Sequence, residues 1–162
     1  MHTKDDIFLL LSEIPDPEIP VISITDLGVI RSIDIKNQES ISVNITPTYS
    51  GCPAMKQIED DVKKKLLDYG FKNIAVNMVF SPPWTTDWIP EEAKERLRQY
   101  GIAPPEESTQ DKSWLTGKKV TVTCPRCSSR NTKLISQFGS TACKALHQCN
   151  DCLEPFDYFK CI

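Results

Sequence analysis

The spacing of apolar residues in the first hundred positions predicts three helices. Residues Lys4–Glu13 are predicted as a short helix with Thr3 or Asp5 as its cap. Residues Glu91–Tyr100 are predicted as a highly charged helix that ends at Gly101. The third helix lies between these two and is the longest.

This longest helix is predicted from one continuous apolar stripe. Its members recur at spacings of three and four residues: Met55, Ile58, Val62, Leu66 and Tyr69. Ser50 is the candidate cap, Pro53 suits the first turn, and Gly70 stands where a helix end favours a left-handed residue. The stripe implies that one face of the helix packs against another layer.

Alternation of apolar and polar residues predicts three strands. The alternating apolar positions are Val29, Ile33 and Ile35, then Ile41, Val43 and Ile45, and finally Ile74, Val76, Met78 and Phe80 on one face. The polar turn at residues 37–39 makes the first two strands an antiparallel hairpin. The order helix–strand–strand–helix–strand predicts an α+β fold, a small sandwich with its helices on one face of the sheet.

The cysteines mark a second, chemically different domain. Six of the seven fall between Cys124 and Cys161, among them two Cys-x-x-Cys pairs: Cys124, Cys127, Cys149 and Cys152. Two such turns facing each other supply the four thiolates of a tetrahedral zinc site. We therefore predict an α+β domain over residues 1–102, a linker over 103–116 and a zinc ribbon over 117–162. An iron–sulfur cluster is the main alternative for the metal, and a redox dithiol is less favoured.

Composition narrows the class of protein. The chain has 162 residues and a net charge of −3, which gives no basic surface for nucleic acid. Its longest early apolar run, Ile7–Leu11, is too short for a membrane span and lacks the flanks of a secretory signal. An odd cysteine count also argues against a disulfide framework. We expect a cytoplasmic protein.

Three residues of the ribbon lie outside the two pairs. Cys143 and Cys161 are either small buried residues or thiolates for a transient metal or cluster. His147 is most simply a surface residue beside the ribbon. The sequence leaves the two roles of the cysteines open.

Cys52 is the one cysteine outside the ribbon region, and it precedes the long helix. The helix dipole and the unpaired N–H groups stabilise a thiolate at this position, and Gly51 leaves room for another molecule. The plain alternative is a small residue that packs the turn. Upstream, Asp16, Glu18 and Asp26 are each expected to cap turns, although together they could place carboxylates near the thiol.

Several longer motifs carry a resemblance to a known family. They are Asp16–Glu18, Asp26–Gly28, Thr46–Ala54, Pro82–Ile89, Cys124–Cys127, Gly139–Lys144 and Glu154–Cys161. The first three resemble the α+β domain of metal–sulfur cluster assembly factors, which includes SufT-like proteins. The whole set resembles the PaaD-type accessory proteins of the phenylacetyl-CoA oxygenase, or epoxidase, system.

The resemblance implies a non-enzymatic accessory factor of aerobic phenylacetate degradation. Its partners would be the di-iron oxygenase and the iron–sulfur flavin reductase components, and its oligomeric state stays open, with a homodimer among the options. Cys52 would handle iron or a transient iron–sulfur cluster, with Cys143 and Cys161 as further thiols, while the ribbon holds structural zinc. The metal delivered stays open between a cluster and iron for the di-iron site.

Two other functions compete with maturation. A non-catalytic subunit could dock within the oxygenase complex without metal transfer. A thiol enzyme is disfavoured, because the chain has only His2 and His147 as histidines and the sequence places neither near Cys52. Trp84 and Trp88 are predicted as an apolar collar on the first domain, with client docking as the alternative.

Overall fold

The computed structural model describes residues 2–106 and 121–160, which divide into two compact units at Trp84 and Thr85. The first unit begins with helix α1, Lys4–Ser12. Thr3 caps it, accepting a hydrogen bond from the Asp6 amide while Asp6 reaches back to the Thr3 amide. This reciprocal capping box satisfies two amides that a helix start otherwise leaves unpaired.

A three-stranded sheet follows, with order β1–β2–β3. Strand β1 (Ile30–Asn37) pairs antiparallel with β2 (Ser40–Ile45), which confirms the predicted hairpin. Strand β3 (Asn73–Met78) pairs parallel with β2, in the register Ile45 to Met78. A parallel pair needs a crossover connection, and helix α2 supplies it. Strands β2 and β3 therefore end at the same edge of the sheet, where the loop to α2 starts.

Helix α2, Ala54–Tyr69, buries the predicted stripe against this sheet. Its buried side chains are Ala54, Met55, Ile58, Val62 and Leu66, and its C-cap is Gly70 in the left-handed conformation (φ 119°). Ser50 as a cap was wrong: the helix begins at Ala54, its N-cap is Pro53, and no side chain caps it. The first-turn amides are thus left without a side-chain acceptor.

The end of β3 differs from the prediction. The strand ends at Met78, so Phe80, which was predicted on the same face of the strand, lies beyond it; Phe80 is 65% exposed and Met78 is 38% exposed. Among the described residues, strand β3 pairs on one side only, as the edge strand of this sheet. Trp84 does pack inward as predicted, with its indole N–H donating to the Leu27 carbonyl oxygen at 2.6 Å.

The second unit starts with a 3₁₀ turn, Thr86–Trp88, and helix α3, Glu91–Tyr100, which ends at Gly101 as predicted. Its four-stranded sheet has the order β4–β7–β6–β5. The strands are β4 (Ile102–Ala103), β5 (Thr132–Ser136), β6 (Lys144–Cys149) and β7 (Pro155–Phe159). Strand β4, at the start of the predicted linker, pairs parallel with β7. The proposed boundaries at 102/103 and 116/117 stay a prediction, since the rest of that linker lies outside the described residues.

Candidate functional site

The two Cys-x-x-Cys pairs meet at one end of the ribbon. The Sγ atoms of Cys124, Cys127, Cys149 and Cys152 all lie within 4.8 Å of one another. Across the pairs, Cys124 and Cys152 are 3.7 Å apart, and Cys127 and Cys149 are 3.5 Å apart. A tetrahedron with zinc–sulfur bonds of about 2.3 Å has edges of about 3.8 Å. The four sulfurs therefore have the spacing that a tetrahedral metal ion requires.

The two turns that present these thiols share one local geometry. The first cysteine of each pair donates its amide across the turn, Cys124 to the Ser129 oxygen at 2.8 Å and Cys149 to the Glu154 oxygen at 3.0 Å. The residue after each second cysteine is left-handed, Ser128 at φ 63° and Leu153 at φ 66°. Both are rare conformations for residues other than glycine. The sequence thus folds twice into the same thiol-presenting turn.

Amides point at the sulfurs inside each turn. The Arg126 N–H lies 3.4 Å from Cys124 Sγ, and the Cys152 N–H lies 3.5 Å from Cys149 Sγ. Outside the turns, the carboxylate of Asp151 accepts hydrogen bonds from the Ser129 hydroxyl and from the Asn131 side-chain amide. These bonds lower the pKa of Asp151, that from Ser129 most. They also join the two turns, which holds the four thiols in place.

Crowding makes the thiols unequal as acids. The N–H of Cys152 lowers the pKa of Cys149 to about 7. The Glu154 amide lowers the pKa of Cys152, but burial and the neighbouring thiols together outweigh it and raise that pKa to about 12. Four adjacent thiolates repel one another, so they ionise together only around a cation. The all-sulfur donor set suits zinc or an iron–sulfur centre rather than a hard ion such as magnesium.

The ribbon core lies directly behind these thiols. It consists of Ala103, Val122, Cys124, Ala145, Cys149, Phe156 and Tyr158. His147, predicted at the surface, is 5% exposed and lies between Phe156 and Tyr158, with ring centroids at 5.9 and 5.5 Å, so that prediction was wrong. Its Nδ1 has no hydrogen-bond partner among the described residues, and burial lowers the pKa of the imidazole. The alternation of Ala145, His147 and Cys149 along β6 was the signal that could have placed it inside.

Cys143 is buried at the opposite end of β6 from the cysteine turns. It is 4% exposed, and its sulfur lies 3.0 Å from the Thr141 hydroxyl oxygen. The loop Gly139–Cys143 is fixed to β7, because the Ser140 hydroxyl donates to Asp157 at 2.9 Å and Lys144 Nζ lies 3.8 Å from the same oxygen. Cys161 lies outside the described residues.

Cys52 lies in the loop between β2 and α2, at the edge where the two parallel strands end. Its side chain is half-buried, and its backbone joins a turn from the Tyr49 oxygen to the Met55 amide. Gly51 is left-handed at φ 75°, and no described atom lies within 4 Å of the place where a Cβ would stand. Cys52 therefore precedes a helix start that has no side-chain cap, and it follows a glycine with open space beside it.

Two of the three upstream carboxylates, those of Asp16 and Asp26, cap turns, as expected for each by itself. Asp16 is 7% exposed, and its Oδ1 accepts the amides of Glu18 and Ile19 at 2.9 and 2.8 Å. Asp26 Oδ2 accepts the Ser23 amide at 2.9 Å. These bonds fix the segment between α1 and β1.

Each of the two units matches a known protein family. Residues 4–75 match the family model described as iron–sulfur cluster assembly protein, and residues 108–160 match the PaaD zinc beta ribbon domain. An Escherichia coli (strain K12) protein, provisionally named as a subunit of the 1,2-phenylacetyl-CoA epoxidase, is 50% identical over 157 residues, covering 97% of this chain and 92% of its own. The chain belongs to the PaaD family.

The assembly-type unit of this PaaD-family chain has relatives of its own. The Staphylococcus aureus (strain USA300) protein SufT, named an Fe-S protein maturation auxiliary factor, is 38% identical over 83 residues, 51% of this chain and 93% of its own. The crystal structure of a domain of unknown function, DUF59, from Bacillus anthracis is 30% identical and aligns with a TM-score of 0.54 over 58% of this chain and 90% of that one. In residues 2–106 and 121–160, every helix is too short or too polar to cross a bilayer.

Proposed function

We propose that this chain is a non-catalytic maturation factor for a phenylacetyl-CoA epoxidase, and that it hands an iron–sulfur cluster or iron to an oxygenase or reductase component. Two kinds of relative support this: the Escherichia coli epoxidase protein over nearly the whole chain, and maturation auxiliary factors over the first unit. The observation that carries the proposal is the half-buried Cys52 just before a helix start without a side-chain cap, next to Gly51 with open space beside it.

Cys52 is the residue that holds the cargo in this proposal. A thiolate is the ligand that iron and iron–sulfur clusters take from proteins, and the start of a helix favours the ionised form. The cargo leaves as an acceptor's thiolates replace Cys52, which needs a thiol that a second protein can reach. Cys143 and Cys161 are proposed as secondary thiols for the same cargo. Because Cys143 is buried beneath its loop, we rank it below Cys52 as a thiol for the cargo.

The ribbon holds structural zinc in this proposal. Four sulfurs at tetrahedral spacing, turns of the same shape and the match to a zinc ribbon model all support it. About forty residues of ribbon cannot stabilise a fold by apolar burial alone, so the metal supplies folding free energy. Metal analysis of anaerobically purified protein tests this: colourless protein with zinc supports the proposal, whereas iron with sulfide at these four cysteines contradicts it.

The alternative is a docking protein of the epoxidase complex that transfers no metal. Exposed apolar side chains on the ribbon favour some protein contact: Leu134, Ile135, Phe138 and Leu153 are each 45–67% exposed. A maturation factor also needs such a contact, so the exposed residues alone do not separate the two functions. The two functions differ in whether Cys52 binds and transfers metal.

The test is the Cys52→Ser substitution in cells that also produce the epoxidase components. We expect the client to be made in normal amount but to lack iron or cluster, while the variant keeps its zinc and its fold. Ser50→Ala is the matched control, because it alters the same loop and leaves the thiol. Full iron and cluster occupancy of the client with Cys52→Ser would rule out the carrier role and favour docking.

A further inference from the structure

Helix α3 and strand β4 are built into the ribbon. Strand β4 pairs parallel with β7, and Ala103, 1% exposed, is a member of the same core as the metal-site residues Cys124 and Cys149. Residues 101–106 precede the matched zinc ribbon domain, which begins at residue 108. The folded unit thus extends in sequence before the part that the family model recognises.

The first cysteine turn touches the end of α3 through Arg126. Gly101 closes α3 at φ 97°, and Arg126 Nη2 lies 3.2 Å from the place where a Cβ on Gly101 would stand. A cation at a helix C-terminus is stabilising because it faces the negative end of the helix dipole. The backbone N–H of the same arginine points at Cys124 Sγ. One residue therefore contacts both a thiol of the metal site and the end of the helix.

A second contact reaches the same turn. Glu106, just after β4, accepts the N–H of Thr123 through Oε1 at 3.3 Å. Thr123 immediately precedes Cys124. Both contacts with the segment around β4 therefore depend on the shape of residues 123–126, which the metal site fixes.

We propose that metal occupancy of the four-cysteine site controls the docking and folding of α3 and β4. Without a metal, the four thiols share no common partner, and the turn that places Arg126 and Thr123 loses its constraint. Helix α3 has 10 residues and buries Ala93 and Leu97. An isolated helix shorter than about 12–15 residues is only marginally stable in water, so α3 unfolds once it is released. Metal loading thus switches this segment between a docked helix and an unfolded tether.

This inference rests on the proposed metal site but not on cargo transfer by Cys52. The first experiment is hydrogen–deuterium exchange of the full chain, with zinc and after zinc removal by a chelator under reducing conditions. We expect α3 and β6 to lose protection together while α2 in the first unit keeps its protection. An α3 that stays protected when β6 opens would overturn the inference, and so would loss of protection in α2, because release would then be global unfolding.

The second experiment tests the contact in the zinc-loaded protein. Arg126→Ala should make the last turn of α3 exchange roughly two- to five-fold faster, the range that a cation at a helix C-terminus contributes. Arg130→Ala is the matched control, with the same loss of charge beside the same turn, and it should leave α3 unchanged. Zinc content, measured in both variants, separates a failed metal assignment from a failed contact. Equal exchange of α3 in the two zinc-loaded variants would refute the role of Arg126.

Discussion

Gly139 is the position where a single methyl group should perturb the ribbon most selectively. A Cβ at this residue would overlap Asp157 Oδ1, far inside van der Waals contact. The backbone of Gly139 is not left-handed, so alanine meets no conformational strain there. The cost of Gly139→Ala must therefore come from moving the Asp157 carboxylate away from Ser140 and Lys144.

The size of this loss of stability follows from the contacts that the Asp157 carboxylate makes. A hydrogen bond to a charged group contributes about 1.5–3 kcal/mol, and removing one partner of a buried ion pair costs about 3–5 kcal/mol. Lys144 is 5% exposed, yet its ammonium lies 3.8 Å from an Asp157 side chain that is 23% exposed, which weakens the ion pair. We expect about 2–3 kcal/mol for Asp157→Ala. Gly139→Ala should cost about 1–3 kcal/mol, because the carboxylate can turn aside and keep part of its contacts.

The double variant tests whether the overlap with Asp157 causes the loss of stability in Gly139→Ala. With Asp157→Ala the overlap is gone, and Gly139→Ala should then stabilise by about 0.4–1 kcal/mol, because alanine restricts the unfolded chain. The assay is native-state hydrogen exchange of β6 amides in zinc-loaded protein, with α2 amides as the internal reference. Additive effects of the two substitutions, or a Gly139→Ala effect on β6 no larger than on α2, would refute this reasoning.

Three further outcomes are expected from the structure. Leu66→Ala, at a side chain buried on α2, should lower the free energy of unfolding by about 2–5 kcal/mol, whereas Leu67→Ala next to it, 54% exposed, should change it by less than about 0.5 kcal/mol in urea denaturation. Asp16→Ala should cost about 1–3 kcal/mol through the two amides it leaves unpaired, and Asp16→Asn should recover most of that loss. Acid should strip zinc from the ribbon, because protons compete with the metal for the four thiolates; zinc release should increase as the pH falls from about 8 to 5, which a chromophoric chelator titration would show or contradict.

The periodic parts of the fold could be predicted from the sequence. The stripe from Met55 to Leu66 predicted α2 because burial of one helix face leaves a direct trace in residue spacing. Tyr69, the last member of the stripe and the last residue of α2, is 39% exposed. The direction of β3 was not encoded locally: alternation marks a strand but not whether its neighbour is parallel, which the crossover through α2 decides.

The metal site was also predictable, since each pair of thiols is a local feature and the structure brings the two pairs together. Contacts between residues distant in sequence were not. Arg126 against Gly101 and Lys144 with Asp157 each depend on strand pairing that no local pattern specifies. The prediction for His147 was wrong for a simpler reason. The polarity of histidine suggests the surface, whereas its position in the alternating pattern of β6 places it in the core.

The pairing of β4 with β7 delays the folding of the second unit during synthesis. Strand β4 leaves the ribosome soon after α3, but its partner β7 follows only after β5, β6 and both cysteine turns have been made. A nascent chain that has already formed its first unit must therefore wait, with α3 undocked, until both cysteine turns and β7 have emerged. A ribosome-bound fragment that stops before Pro155 should hold the first unit in protease-resistant form and leave α3 open to cleavage.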